Sequence, residues 1–255
     1  MAAPVGTTLL EIVNKVAKSV GHPATTTVVA SSDEAILRLQ YYANLAGSEL
    51  LYMYNWQALS LTGTIQIEAD TVGQAQKGFD LPADFKAMTD DTQWDTNTQL
   101  PAVGPINAQD WQSLIQRQGQ IVTRFLWRIR AGQLWIKSPP PPGNPQPFSF
   151  EYLSKFWARD LNVSGNPNDP PTPVASMEKD SSYHIYSPDL MVLYTRAKWF
   201  ENEGYDASAA FADFQKAFNW ESGTDKGATV LNLVPNMTYP YINVQTNIPD
   251  TGFGS

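Results

Sequence analysis

The feature that most constrains the fold of this chain is a change in the spacing of its apolar residues. Toward both ends they recur every three or four positions, which predicts amphipathic helices, whereas in the middle they alternate with polar residues, which predicts half-buried strands. This order of elements indicates an α+β fold. We predict a helical bundle formed by N- and C-terminal helix pairs, with an inserted small antiparallel β domain and an extended C-terminal arm.

Capping signals place the first helix pair. Thr8 and Glu11 have the spacing of a capping box, in which each residue bonds the other's backbone N–H, and they open a helix predicted over residues 8–20. Ser31 and Glu34 have the same spacing. The apolar residues that follow keep a helical period and carry a second helix to about residue 56.

The closing helix pair has its own start and stop signals. Ser187 followed by Pro188 is a cap with proline at the first helical position, and Gly204 ends that helix. Asp206 caps the next helix, whose aromatic stripe is expected to pack on its neighbour as a helical hairpin. The stripe consists of Phe211, Phe214 and Phe218.

The middle of the chain carries the strand signals. Residues 60–68 alternate, residues 124–137 predict a hairpin that turns at Ala131 and Gly132, and residues 148–157 predict a third strand of the same sheet. A short helix is predicted over residues 107–118. The prolines and glycine of residues 160–176 predict a long loop without regular structure.

These patterns divide the chain into five segments. They are the first part of the helical bundle (1–59), the inserted β domain with its short helix (60–158), the Pro/Gly-rich loop (159–180), the second part of the bundle (181–226) and the C-terminal arm (227–255).

Composition excludes several classes of function. The formal net charge is −8 and only 16% of residues are charged, which argues against affinity gained by neutralising phosphates. The absence of cysteine excludes disulfides and thiolate metal sites. No run approaches eighteen apolar residues, so we expect no membrane partner.

The C-terminal arm is the most unusual segment. Between residues 228 and 255 the one charged side chain is Asp250, and prolines at three positions exclude a helix. Such a segment is too apolar for a solvated end. Either it folds back on its own domain or it binds a neighbouring subunit or another protein. The candidate binding residues are Leu231, Leu233, Val234, Met237, Tyr239, Tyr241, Ile242 and Val244.

Residues suited to catalysis are few. The candidates are the two histidines, His22 and His184, a Ser-x-x-Lys match at Ser176 and Lys179, and the adjacent carboxylates Asp90 and Asp91. The histidines have no further ligand at metal spacing, the Ser-x-x-Lys match lacks its partner motifs, and adjacent acids in a polar loop are expected to be solvated. We therefore predict no catalytic residue, no metal site and no cofactor.

Cations interleaved with aromatic residues form one further pattern. Arg124, Arg128, Arg130 and Lys137 alternate with Phe125, Trp127 and Trp135 on the predicted hairpin. This pattern is typical of a stacking platform for single-stranded nucleic acid. The simpler interpretation is one charged sheet face with the aromatic residues turned into the core.

The order of elements resembles the head-to-tail adaptor family of tailed bacteriophages, which includes proteins of the tail tubular protein A type. Three features carry the resemblance. They are the N-terminal helices at residues 9–20 and 34–56, the Leu-Pro-x-Asp-Phe motif within residues 79–88, and the helical hairpin of residues 187–221 followed by a neutral tail.

The resemblance implies a structural virion protein of the neck, made in the host cytoplasm. It implies a ring of twelve copies that joins the portal protein to a tail tube or nozzle protein. Double-stranded DNA would pass through the channel without specific binding.

Two alternatives stay open at this point. A carbohydrate-binding or cell-wall-degrading virion protein would use Trp94, Trp127 and Trp135 of the β segment to stack on sugar. A cytoplasmic single-strand-binding protein would use the cations of the hairpin.

Overall fold

A computed structural model of the chain describes residues 7–116, 124–161 and 171–225. Within these ranges the chain forms five α-helices and eleven strands. The helices are α1 (Leu9–Ser19), α2 (Glu34–Met53), α3 (Ala108–Gln116), α4 (Pro188–Asn202) and α5 (Ser208–Asp225). The strands are β1 (Ser60–Ile67), β2 (Gln76–Asp80), β3 (Phe85–Met88), β4 (Trp94–Asp95), β5 (Leu100–Pro101), β6 (Leu126–Arg130), β7 (Gln133–Lys137), β8 (Gln146–Ser154), β9 (Ala158–Asp160), β10 (Thr172–Val174) and β11 (Tyr183–His184).

The strands make three antiparallel sheets. The largest has the order β1, β8, β4, β5, and β3 also pairs with β8. The second places β7 between β2 and β6, and the third places β9 between β10 and β11. Every strand pair is antiparallel.

Two hydrophobic clusters stabilise the structure. One contains the buried faces of α1, α2, α4 and α5 together with Trp157 and Ala158. The other contains residues of the first two sheets, among them Phe148 and Phe150 of β8. Leu153, near the end of β8, belongs to the first cluster, so β8 runs from one core into the other.

The predicted fold, a helical bundle with an inserted small antiparallel β domain, is wrong. The described residues form three antiparallel sheets with eleven strands, and one of these sheets packs within the helical core. That sheet contains β9 to β11, of which β10 lies wholly in the region predicted to be a loop and β9 ends in it. β10 is an edge strand of only three residues, which accommodates Pro173, and so it lacks the longer alternation that identifies a strand in sequence.

Local signals gave most of the helices correctly. The capping box of α1 is present, with the Glu11 N–H donating to Thr8 Oγ1 and the Thr8 N–H donating to the Glu11 carboxylate. Asp33, rather than Ser31, caps α2 by accepting a hydrogen bond from the Ala35 N–H. The hairpin of β6 and β7 turns at Ala131 and Gly132, which both have positive φ.

A half-buried carboxylate joins two distant parts of the sequence. Asp180 accepts hydrogen bonds from the Thr27 hydroxyl at 2.6 Å and from the Val28 and Val29 N–H groups at 2.9 and 3.0 Å. These contacts hold the α1–α2 connection against the segment that leads into α4. The surface of α2 is thereby fixed relative to the other helices.

Candidate interaction surface

The two histidines lie apart and pack in the helical half of the molecule. His22 is half-buried and its ring makes an edge contact with Trp199 at 5.6 Å between centroids. His184 is 1% exposed and stacks on Tyr186 at 6.3 Å. Across the described ranges no group of three or more His, Asp or Glu side chains is arranged to hold a metal ion.

The Ser-x-x-Lys match has no catalytic geometry. Ser176 donates its hydroxyl hydrogen bond to the Glu178 carboxylate at 3.1 Å. Lys179 instead makes an ion pair with Asp160 at 2.7 Å. A lysine held by a carboxylate is not available to activate the serine.

The adjacent carboxylates lie in solvent. Asp90 and Asp91 are both exposed in the turn after β3, and Asp91 has a φ of 59°. This exposure does not support a catalytic role for the pair.

The hairpin does not present a stacking platform. Phe125 and Trp127 are 7% and 3% exposed and belong to the β core. Trp135 is half-buried, and its indole N–H donates to the Arg130 carbonyl at 3.2 Å. Lys137 is itself buried. The cations and aromatic residues of the sequence pattern therefore do not share one exposed face of the sheet.

The binding residues predicted in the C-terminal arm, Leu231 to Val244, lie outside the described residues. Their role stays a prediction. Of the described helices, none is long and apolar enough to cross a membrane.

An exposed apolar stripe on α2 is the clearest candidate interaction surface. It consists of the exposed residues Leu37, Tyr41 and Tyr52 together with Leu45, which is half-buried against the helical core. In chain order the four follow one another at steps of four, four and seven residues. Such steps place side chains on one face of a helix. Leu37 is 41% exposed, Tyr41 63% and Tyr52 74%. We call these four residues the α2 stripe.

The opposite face of α2 is buried and holds the helix in place. Ile36, Leu39, Ala43, Ala46 and Leu50 are all at most 1% exposed and pack in the helical core. The helix is therefore apolar on two faces, whereas a surface helix of a monomer usually has one apolar face and one charged face. This double pattern predicts that the outer face is covered by another molecule.

Ion pairs and β3 border the α2 stripe. Arg38 binds Glu34 at 2.6 Å and Glu203 at 3.1 Å, which places a charged network beside Leu37 and Tyr41. At the other end, Lys86 of β3 donates to the Leu51 carbonyl and its ammonium lies 5.2 Å from the centre of the Tyr52 ring. The stripe thus has charged margins around apolar residues.

Sequence reasoning missed this surface. The helix predicted up to residue 56 contains these residues, but the prediction rested on the apolar spacing of its core face. The signal was present in the four-residue steps from Leu37 to Tyr41 to Leu45, which repeat on the outer face. Trp220 on α5 is also 74% exposed, but no comparable stripe accompanies it.

Comparison with known proteins leaves the family open. No protein-family model matches the chain, and no curated protein is significantly similar to it.

Proposed function

We propose that this protein is a structural subunit without catalytic activity, which forms the ring that joins the portal of a tailed bacteriophage to its tail. The observation that carries this proposal is the α2 stripe. Two tyrosines that are 63% and 74% exposed on the outer face of one helix are suited to burial against another subunit. The virion neck is the location that follows from this proposal.

The composition of the α2 stripe suits a protein interface. Tyrosine is enriched at interfaces because it offers a large apolar ring with a polar tip. Apolar surface removed from water stabilises a contact by about 25 cal/mol per Å². The charged network of Arg38, Glu34 and Glu203 would lie at the rim, where ion pairs favour the correct register more than they add affinity.

A ring requires two different surfaces on each subunit, because head-to-tail contacts repeat around its axis. The α2 stripe is one surface. The apolar arm residues Leu231 to Val244 are the natural candidate for the second, bound to the portal or to the next subunit. The resemblance to head-to-tail adaptors supports this assignment and suggests a ring of twelve copies.

The charge of the chain suits a passage for DNA. With a formal net charge of −8, the protein has no excess of cations to release the counterions of the double helix. DNA could therefore slide through the ring without specific binding.

Sedimentation of the full-length protein with purified portal rings tests the proposal. The wild type is expected to sediment with the rings, and the double substitution Tyr41→Ser and Tyr52→Ser to weaken ring assembly or portal binding about tenfold or more, as loss of interface tyrosines does. Tyr205→Ser is the matched control, because Tyr205 is 64% exposed but lies off α2.

Two results would contradict the proposal. One is a wild-type protein that stays monomeric and ignores the portal rings. The other is a positive glycan array or a cleared zymogram, which would favour the carbohydrate-active alternative that uses Trp94 and Trp135.

A further inference from the structure

A polar pocket lies beside the proline-rich segment after β7, between that segment and residues of β4, β7 and β8. It encloses about 240 Å³. Its polar lining comes from Asp95, Thr98, Arg124, Lys137, Ser138, Asn144 and Gln146. One wall is formed by Pro140 and Pro141, whose fixed φ angles make that wall rigid.

The proline wall is anchored to the rest of the β part. The Ala69 N–H donates to the Pro140 carbonyl at 2.7 Å, and the Gly143 N–H donates to the Glu68 carboxylate. The pocket is therefore formed before anything binds, which lowers the entropic cost of binding.

Lys137 has an unusual position at this pocket. The residue is part of the lining and only 4% exposed, and its ammonium nitrogen is buried beneath the pocket surface without a hydrogen-bond partner among the described residues. A buried ammonium without a partner is strongly unfavourable, because it has lost its hydration. The flexible stem of lysine allows the nitrogen to reach a ligand in the pocket.

The one carboxylate of the pocket is already engaged. Asp95 accepts hydrogen bonds from the Asn97 N–H at 2.9 Å, the Thr98 N–H at 3.3 Å and the Thr98 hydroxyl at 2.8 Å. Arg124 and Lys137 bring two positive charges to the lining and Asp95 brings one negative charge. Among the lining residues the positive charges therefore outnumber the negative by one, in a chain whose formal net charge is −8.

The backbone is strained at Ser138, which lines the same pocket. Ser138 has a φ of 49°, in the left-handed region that favours glycine, and its N–H is held by the Ala75 carbonyl at 2.9 Å. Strain of this kind is concentrated at ligand sites, where the surrounding structure enforces it. Here it follows directly after the buried Lys137.

We infer that this pocket binds a small oxyanion, of the phosphate or carboxylate class, through Lys137 and Arg124. The anion supplies the partner that the buried ammonium lacks, and Ser138 and Gln146 provide neutral donors beside it. A monovalent ligand compensates the excess charge of the lining. This binding is independent of the ring contacts proposed for α2.

Thermal unfolding and calorimetric titration of the full-length protein test the inference, with inorganic phosphate or acetate compared with chloride at constant ionic strength. We expect phosphate, acetate or both to raise the melting midpoint of the wild type in a saturable manner. Lys137→Met should abolish this response and should melt higher than the wild type in chloride, because it removes an unpaired buried charge.

Two further variants keep the test decisive if Lys137→Met does not fold. Arg124→Gln alters an exposed side chain and should weaken oxyanion binding about tenfold or more, as loss of a charge-assisted hydrogen bond does. Lys216→Met, at an exposed position on α5, should behave as the wild type.

The inference is overturned if neither oxyanion binds the wild type more tightly than chloride. It is equally overturned if Arg124→Gln and Lys137→Met bind as the wild type does. A response to one of the two oxyanions alone supports the site and identifies its ligand class.

Discussion

His184 is the residue whose burial has the clearest energetic consequence. It lies on β11, is 1% exposed, and both of its ring nitrogens are buried. Burial lowers the pKa of His184 from 6.5 to about 4, and the positive charge of Lys15 acts in the same direction. The folded protein therefore favours the neutral ring.

The pH dependence of stability follows from that direction. Because the pKa of His184 is lower in the folded than in the unfolded state, the unfolded state binds the extra proton as pH falls below the unfolded value of 6.5. From this group we expect a loss of up to about 3 kcal/mol in the free energy of unfolding between near-neutral pH and about pH 4.

Denaturant unfolding at several pH values checks this prediction. His184→Phe keeps a ring against Tyr186 but cannot be protonated, so its stability should fall less steeply over this range than that of the wild type. His22→Phe is the control and should retain the wild-type slope. Parallel curves for the wild type and His184→Phe would contradict the prediction.

The sequence did not predict that His184 is deeply buried. Its burial depends on the pairing of β11 with β9, which places His184 opposite Ala158. That contact joins residues far apart in sequence across two-residue and three-residue strands. Such short strands have no period from which an inward face could be read.

At the scale of elements, α2 packs tightly against the segment between β8 and β9. The Trp157 ring lies so near Gly47 that a Cβ on that glycine would be 2.3 Å from the ring. Trp157 also stacks on Tyr186 at 6.0 Å, and the Tyr186 hydroxyl donates to the Gly47 carbonyl at 3.1 Å. Glycine is thus needed on this face of the helix for space.

Two glycine-to-alanine substitutions distinguish the effect of steric crowding on stability from the effect of helix propensity. Gly47→Ala should lower the free energy of unfolding by about 1–3 kcal/mol, because overpacking against Trp157 outweighs the gain in propensity. Gly223→Ala on α5, where nothing lies within 4 Å of the added Cβ, should instead raise it by up to about 1 kcal/mol. Urea denaturation measures both changes, and an increase for Gly47→Ala would contradict the packing argument.

Elements defined by local signals were predicted better than those defined by pairing. α3, predicted over residues 107–118, is observed at Ala108–Gln116, and the Asn107 side chain accepts a hydrogen bond from the Asp110 N–H at 2.8 Å. The strand predicted at residues 148–157 does exist as β8. However, it pairs with β1, β3 and β4 instead of with the β6–β7 hairpin.

The partners of β8 could not be read from sequence because alternation fixes which residues face inward but not which strand lies alongside. The same limit applies to the α2 stripe and to the oxyanion pocket. The pocket collects Asp95, Arg124, Lys137 and Gln146 from separate strands and loops. The cations were noticed in the sequence, but their position beside a carboxylate was set by the sheets.

At the scale of the whole molecule, β8 connects the two cores. Phe148, Phe150 and Tyr152 face the β core, while Leu153 and, after the strand, Trp157 belong to the helical core. Residues of both clusters come from positions 9–218. We therefore expect the two halves to unfold together, since a change in β8 is transmitted to both.

Removal of residues 228–255 tests whether the arm serves the fold or the assembly. Because both described cores are built without these residues, the truncated protein should keep its circular dichroism spectrum and melt within about 4 °C of the full chain, a shift of roughly 1 kcal/mol at this size. It should nevertheless fail to enter particles in an assembly reaction with portal rings. A full chain carrying Trp220→Ser, an exposed substitution outside the arm and the α2 stripe, should still be incorporated. Loss of the cooperative melt on truncation would instead place the arm in the core of its own subunit.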